Sequence, residues 1–264
     1  MIKFLNSRKL IYIIIATLAG LVFCFACYKN KTTPIKIEVK NQEIADNQNS
    51  ATPKEEINIS QASNEEKIKE PKKEKTPDKI FIKVPFTSQA PFSKWDEYHE
   101  EACEEASLIM VKYYLDKKIL NKDIAEKEIQ DMIKFEIKKY GDYKDTDAEE
   151  TARLAEDYYG IKNLKVVYDF KPDDIKKYLA KGKPIVVPAA GRKLGNPNFT
   201  PPGPLYHNLV LVGYDGNIII ANDPGTRKGE GYKYDMNILY GAIHDFPGKP
   251  ENIEKGRKAM IVLE

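Results

Sequence analysis

The chain has 264 residues, and its 42 Lys and Arg against 40 Asp and Glu leave a formal charge of +2. That balance builds no basic field of the kind that holds a nucleic-acid backbone, and three cysteines are too few for a disulfide scaffold. The length fits one large domain or a medium domain with appendages, and a composition change near residue 78 selects the second.

Leu10 to Tyr28 is an almost unbroken apolar run preceded by Lys3, Arg8 and Lys9. No small-x-small cleavage site follows cleanly. Residues 1–28 therefore read as an uncleaved signal anchor with a cytoplasmic amino terminus, although Lys29 and Lys31 lie on the far side. A cleaved secretion signal and a lipoprotein signal ending at Cys27 are the alternatives, and all three put the rest of the chain outside the cytoplasm. Residues 29–79 are dominated by Lys, Glu, Asn, Ser, Thr and Pro, with no period that could bury a face. Such a disordered charged linker of about 50 residues spans on the order of 40 Å.

The folded domain is expected over residues 80–264. Ile80 to Val84 alternates as a short strand, and FTSQAPFSKW forms a loop leading into a helix at Cys103. Only Ser107 and Lys112 interrupt the apolar stretch Ala106–Leu115, which predicts a helix buried on most sides. A second helix is expected from Lys122 to about Tyr140, capped by Asn121 and closed by Gly141. A third follows Thr146, whose spacing to Glu149 makes a capping box, and stops at Gly160. After Gly160 the pattern becomes LKVVYDF (164–170), a short helix near Asp173, PIVVPA (184–189), HNLVLVGY (207–214), NIIIAND (217–223) and AMIVL (259–263). Asp215-Gly216 marks a hairpin between two of these runs. Helices first and a mostly antiparallel sheet second define an α+β domain.

Cys103 is the only cysteine beyond residue 30, and a thiol in the first turn of a helix is drawn toward thiolate by the positive end of the dipole. Glu100, Glu101, Glu104 and Glu105 oppose that ionisation, so a cationic partner has to come from elsewhere in the chain. Taken alone, Cys103 reads as a small buried hydrophobe. His207 opens one hairpin strand and Asp223 closes the other, with residue 215 midway between them. Residues equidistant from an antiparallel turn face each other, so the imidazole and carboxylate can meet. Asp223 would then fix the ring tautomer while the other ring nitrogen faces Cys103. Singly, His207 also reads as a solvated strand-end histidine and Asp223 as a turn residue of the Asp-Pro-Gly bend.

Other constellations compete. His99-Glu100-Glu101-Ala102-Cys103 imitates a zinc-protease helix with cysteine for the second histidine, without an evident third ligand. His244 is a structural histidine near a helix end or a reserve base. Phe92, Trp95 and Tyr98 flank Cys103 and would line a cleft or pack in the core. The Gly- and Pro-rich loop 191–204 would form a rim ahead of His207 or a plain connection.

Read together, VPFTSQAPF, Trp95, EACEEAS, HNLVLVGYD and IIANDPG resemble the C39-like family of papain-fold cysteine peptidases, which is related to the double-glycine leader peptidases of bacteriocin exporters. The resemblance spans most of 80–263. It implies Cys103 as nucleophile, His207 as general base and acid, Asp223 as orienting carboxylate, and Gln89 as side-chain donor to the oxyanion. It implies no metal and no cofactor. The exporter-linked peptidases usually carry Gly-Pro after the cysteine, where this chain has Glu104-Glu105, and their glutamine lies nearer the cysteine. The combined expectation is a membrane-tethered extracytoplasmic thiol hydrolase at a bacterial surface, acting on a peptide or protein substrate with no nucleic-acid partner. A catalytically inactive binding domain of the same fold and an acyl or peptidyl transferase are the alternatives.

Overall fold

The computed structural model describes residues 76–264. The apolar run Leu10–Tyr28 and nearly all of the charged linker lie outside the described residues, and among those described no helix is long and apolar enough to cross a membrane.

Strand β1 (Lys79–Phe81) leads through an irregular segment to the short helix α1 (Glu97–Glu100) and to α2 (Cys103–Leu115). Helices α3 (Lys122–Tyr140) and α4 (Ala148–Tyr159) complete the helical half. The rest alternates β2 (Leu164–Tyr168), α5 (Pro172–Ala180), β3 (Ile185–Ala190), β4 (Tyr206–Asp215), β5 (Ile218–Asn222), β6 (Tyr232–Asp235), α6 (Met236–Ala242) and β7 (Ala259–Leu263). The strands lie in the order β2-β7-β3-β4-β5-β6, with β1 also on β4, and every ladder is antiparallel. The α+β expectation holds.

Helix α2 is buried on both sides because it separates two cores. Met110 and Val111 join the sheet-side cluster with Leu209, Leu211 and Val187, while Leu108 and Ile109 pack with Ile129, Met132, Ile133 and Leu154 of α3 and α4. Each such side chain removed from water contributes roughly 1.5–3 kcal/mol. The helix that carries Cys103 is therefore fixed by both halves of the domain.

Local signals place the helix ends. The Asn121 side chain accepts from Ile124 N at 2.9 Å, and Gly141 closes α3. The box on α4 sits one residue later than expected: Asp147 and Glu150 make it, because Thr146 is engaged elsewhere.

The hairpin differs more. Gly216 and Asn217 form the turn, with Gly216 at φ +57°, and Asp215 pairs with Ile218. A register shift between Leu211 and Gly213 follows, and the last pair is Val210 with Asn222. Continued, that register sets Asp223 across from position 209 rather than 207, so His207 and Asp223 are diagonal neighbours on one face, still within reach of long side chains.

Candidate active site

His207 enters at the start of β4, paired with Ala189 of β3. Its Nε2 lies 2.7 Å from Asp223 Oδ1, with both side chains buried. Three further donors hold the carboxylate: Gly225 N on Oδ1 at 3.0 Å, Asn196 Nδ2 on Oδ2 at 3.0 Å and Tyr234 OH on Oδ2 at 2.5 Å. Burial alone would raise the Asp223 pKa. The His207 charge and the hydrogen bonds from His207, Tyr234 and Gly225 outweigh it and keep the group below the ordinary carboxylate value. An ionised Asp223 accepts a proton-bearing Nε2, which leaves Nδ1 as the nitrogen available to a neighbour.

The ring is fixed on its faces as well. Phe199, from the 191–204 loop, meets it nearly edge-on with centroids 5.3 Å apart. Gly225 backs it: a Cβ there would fall 2.8 Å from His207 Cε1 and 3.1 Å from Nε2. The loop expected to form a rim thus supplies both Asn196 and Phe199. Asn196 and Tyr234 carry no local sequence signal, because they reach Asp223 from separate parts of the chain.

Cys103 is the first residue of α2, and its Ala102 cap offers no side-chain hydrogen bond to the helix N-terminus. It clusters with Ala190, Tyr206 and Ile253, backed by Phe246. Ala190 and Tyr206 are the pair adjacent to Ala189 and His207 on the β3-β4 ladder. Among the described residues no hydrogen bond joins the sulfur to His207. The thiol instead donates to Glu104 Oε2 at 3.0 Å. Burial, followed by the Glu104 charge, pushes the thiol well above its ordinary pKa.

Gln89 bridges the two halves. Its backbone N–H donates to Pro224 O at 3.0 Å, on the Asp223 bend. Its side-chain nitrogen donates to His99 O at 2.8 Å and Glu100 O at 3.1 Å, on the turn before Cys103, and Oε1 is buried without a donor.

The zinc-protease arrangement does not form. The chain leaves α1 after Glu100 and starts α2 at Cys103, so His99 and Cys103 share no helix. His99 lies between Asp96, 2.6 Å from Nδ1, and Glu126, 3.0 Å from Nε2. His244 is structural: Nδ1 meets Gly256 O at 2.8 Å and Lys258 Nζ approaches Nε2 at 3.3 Å. Phe92 and Trp95 are exposed, whereas Tyr98 stacks on Tyr143 at 5.4 Å.

The structure thus brings the first residue of α2, Cys103, to the strand pair adjacent to the buried His207–Asp223 pair. The sequence model of the Peptidase_C39 like family matches residues 81–244, and this chain belongs to that family. Among solved structures it is similar to a chain described as a C39-like peptidase from Bacillus anthracis, at 18% identity and a TM-score of 0.45, covering 70% of this chain and 97% of that one. A double glycine motif protease from an AMS/PCAT transporter, in complex with the leader peptide, is 19% identical with a TM-score of 0.36, covering 70% and 92%. No curated protein matches the chain.

Proposed function

We propose that residues 80–264 form a papain-like cysteine peptidase domain that hydrolyses peptide or related amide bonds through an acyl-enzyme on Cys103. The observation that carries this reading is the buried His207–Asp223 pair, bonded through Nε2, one ladder step from the strand residues that pack on Cys103. In the reacting form the sulfur leaves Glu104 and turns to His207 Nδ1, which takes the thiol proton as the thiolate attacks the carbonyl carbon. Asp223 stabilises the imidazolium. His207 then protonates the leaving amine, and afterwards removes a proton from the water that releases the acyl group. The backbone N–H of Cys103 and the Gln89 carboxamide receive the oxyanion. For Gln89 this requires one N–H to leave Glu100 O, the longer of its two bonds.

The domain is proposed to sit outside the cytoplasm, tethered by residues 1–28 through the linker 29–79. The apolar run and its basic flank support this. Membrane fractionation tests it: the full chain is expected in the membrane fraction, and a chain lacking residues 1–28 in the soluble one.

A second reading, a surface binding domain without catalysis, draws on the thiol's bond to Glu104. A mixture of random-sequence peptides incubated with the full chain and read by mass spectrometry separates the two. New peptide termini that disappear in Cys103→Ala support the peptidase, and an unchanged mixture supports the binding domain.

A further inference from the structure

Glu104 follows the nucleophile directly in sequence, yet its carboxylate folds back onto the sulfur because a distant segment holds it. Oε1 accepts from Thr146 N at 2.9 Å and from Thr146 Oγ1 at 3.3 Å. Thr146 is fixed in turn by Thr151, 2.8 Å between hydroxyls, and by Tyr206, whose OH donates to Thr146 O at 2.6 Å. With Oε1 anchored, Oε2 has the Cys103 thiol as its partner, at 3.0 Å. The side chain is buried, so solvent cannot replace either bond cheaply.

We propose that Glu104 is a positioning residue for the nucleophile: in the empty site it holds Cys103 as a neutral thiol directed away from His207, and attack begins only when that bond is released. The proposal rests on the reading of Cys103 as nucleophile. The charged and titratable surroundings favour it. Glu101 and Glu105 lie on the same stretch, Glu136 faces from α3, Asp142, Lys144 and Asp145 from the α3–α4 connection, Tyr206 from β4 and Asp245 from the segment after α6. Lys144 is the single cation of that set, and it acts on Glu101 and Asp145. Thiolate would therefore form beside like charge, whereas a thiol proton is attracted to it. Release transfers no atom from Glu104: the S–H bond turns from Oε2 to Nδ1 of His207, and the proton then passes to nitrogen.

Glu104→Gln keeps an oxygen for Thr146 and presents an N–H to the sulfur, which reverses the preference from thiol to thiolate. The full chain is alkylated with iodoacetamide across pH, and the rate is read at the Cys103-containing peptide by mass spectrometry, so Cys24 and Cys27 do not interfere. Wild type is expected to titrate above the value of free cysteine, about 8.5. Glu104→Gln is expected to titrate about 1–3 pH units lower, with alkylation at pH 7 about tenfold faster or more. A wild-type midpoint at or below that of free cysteine, or the same midpoint in both proteins, overturns the proposal. Should Glu104→Gln fail to fold, Glu104→Asp, with its carboxylate drawn back from the sulfur, is titrated instead. A lower midpoint than wild type supports the proposal and an equal one overturns it. Absence of peptide turnover in every form would count against the peptidase reading while leaving these titrations interpretable.

Discussion

His207 meets Asp223 through Nε2, at 2.7 Å, and not through Nδ1. This orientation leaves Nδ1 as the free ring nitrogen, and under the proposed mechanism the carboxylate serves to orient the ring. Asp223→Ala is accordingly expected to lower kcat/KM for peptide hydrolysis by about 10²–10⁴-fold. Asp223→Asn presents an NH2 group either to Nε2–H or to the Asn196 donor that now bonds Oδ2, so it should fall nearly as far. Steady-state assays of the two variants, with circular dichroism as a check on folding, decide it; wild-type turnover in Asp223→Ala would contradict the orienting role.

Tyr234 and Asn196 both donate to Asp223 Oδ2, and Asn196 Nδ2 also donates to Tyr234 OH at 2.9 Å. Tyr234→Phe removes one donor from a buried carboxylate and is expected to cost about 1–3 kcal/mol in a denaturant melt. Activity should fall by less than in Asp223→Ala, because Asn196 and Gly225 remain.

Gly225 is required by proximity. A methyl group there meets both the His207 ring and Phe199, the latter at 2.9 Å, so Gly225→Ala must displace the imidazole. The expected result is loss of turnover of about tenfold or more with a folded domain, measured as kcat/KM beside a thermal melt.

The acidic groups behind Cys103 are expected to make stability fall with rising pH. Burial, with carboxylate repulsion adding to it, raises Glu104 and Glu105, Glu136 to about 8 and Asp145 to about 7. Among the described residues neither Glu105 oxygen has a donor, so nothing offsets the cost of ionising that buried carboxyl. Because the folded pKa values lie above the unfolded ones, the native state binds more protons between about pH 4.5 and 8. Tm should therefore decrease across that interval, and Glu136→Gln should flatten the decrease. Asp223, with its lowered pKa, works in the opposite sense, but only at more acidic pH. Differential scanning calorimetry at constant ionic strength measures the slope; a rising Tm from pH 5 to 8 would contradict the burial of these groups.

Much of the scaffold was legible because it depends on local signals. Asn121 and Gly141 bracket α3 as read, and the run from Ala106 is buried on two sides as far as Val111, beyond which the helix emerges and Leu115 is exposed. The strand β6 went unread because YKYD is too short for a period to emerge, whereas the helix end read just before His244 is that of α6. The hairpin reading reached the right pair through a register that is displaced: the turn sits at Gly216-Asn217, and a bulge shifts the ladder again near Val212. Least legible was the thiol's partner. Glu104 could be recognised as an opposing charge, but its grip on the sulfur depends on Thr146, forty-two positions away.

The most direct test of the central claim is the mass of the protein during turnover. The full chain is mixed with an activated thioester of a short peptide, quenched in acid and weighed intact, then mapped by fragmentation. The account predicts one acyl group on Cys103 that disappears with time, absent in Cys103→Ala and slowed in formation by His207→Ala. Turnover without a Cys103 adduct, or an adduct formed equally fast without His207, would contradict it.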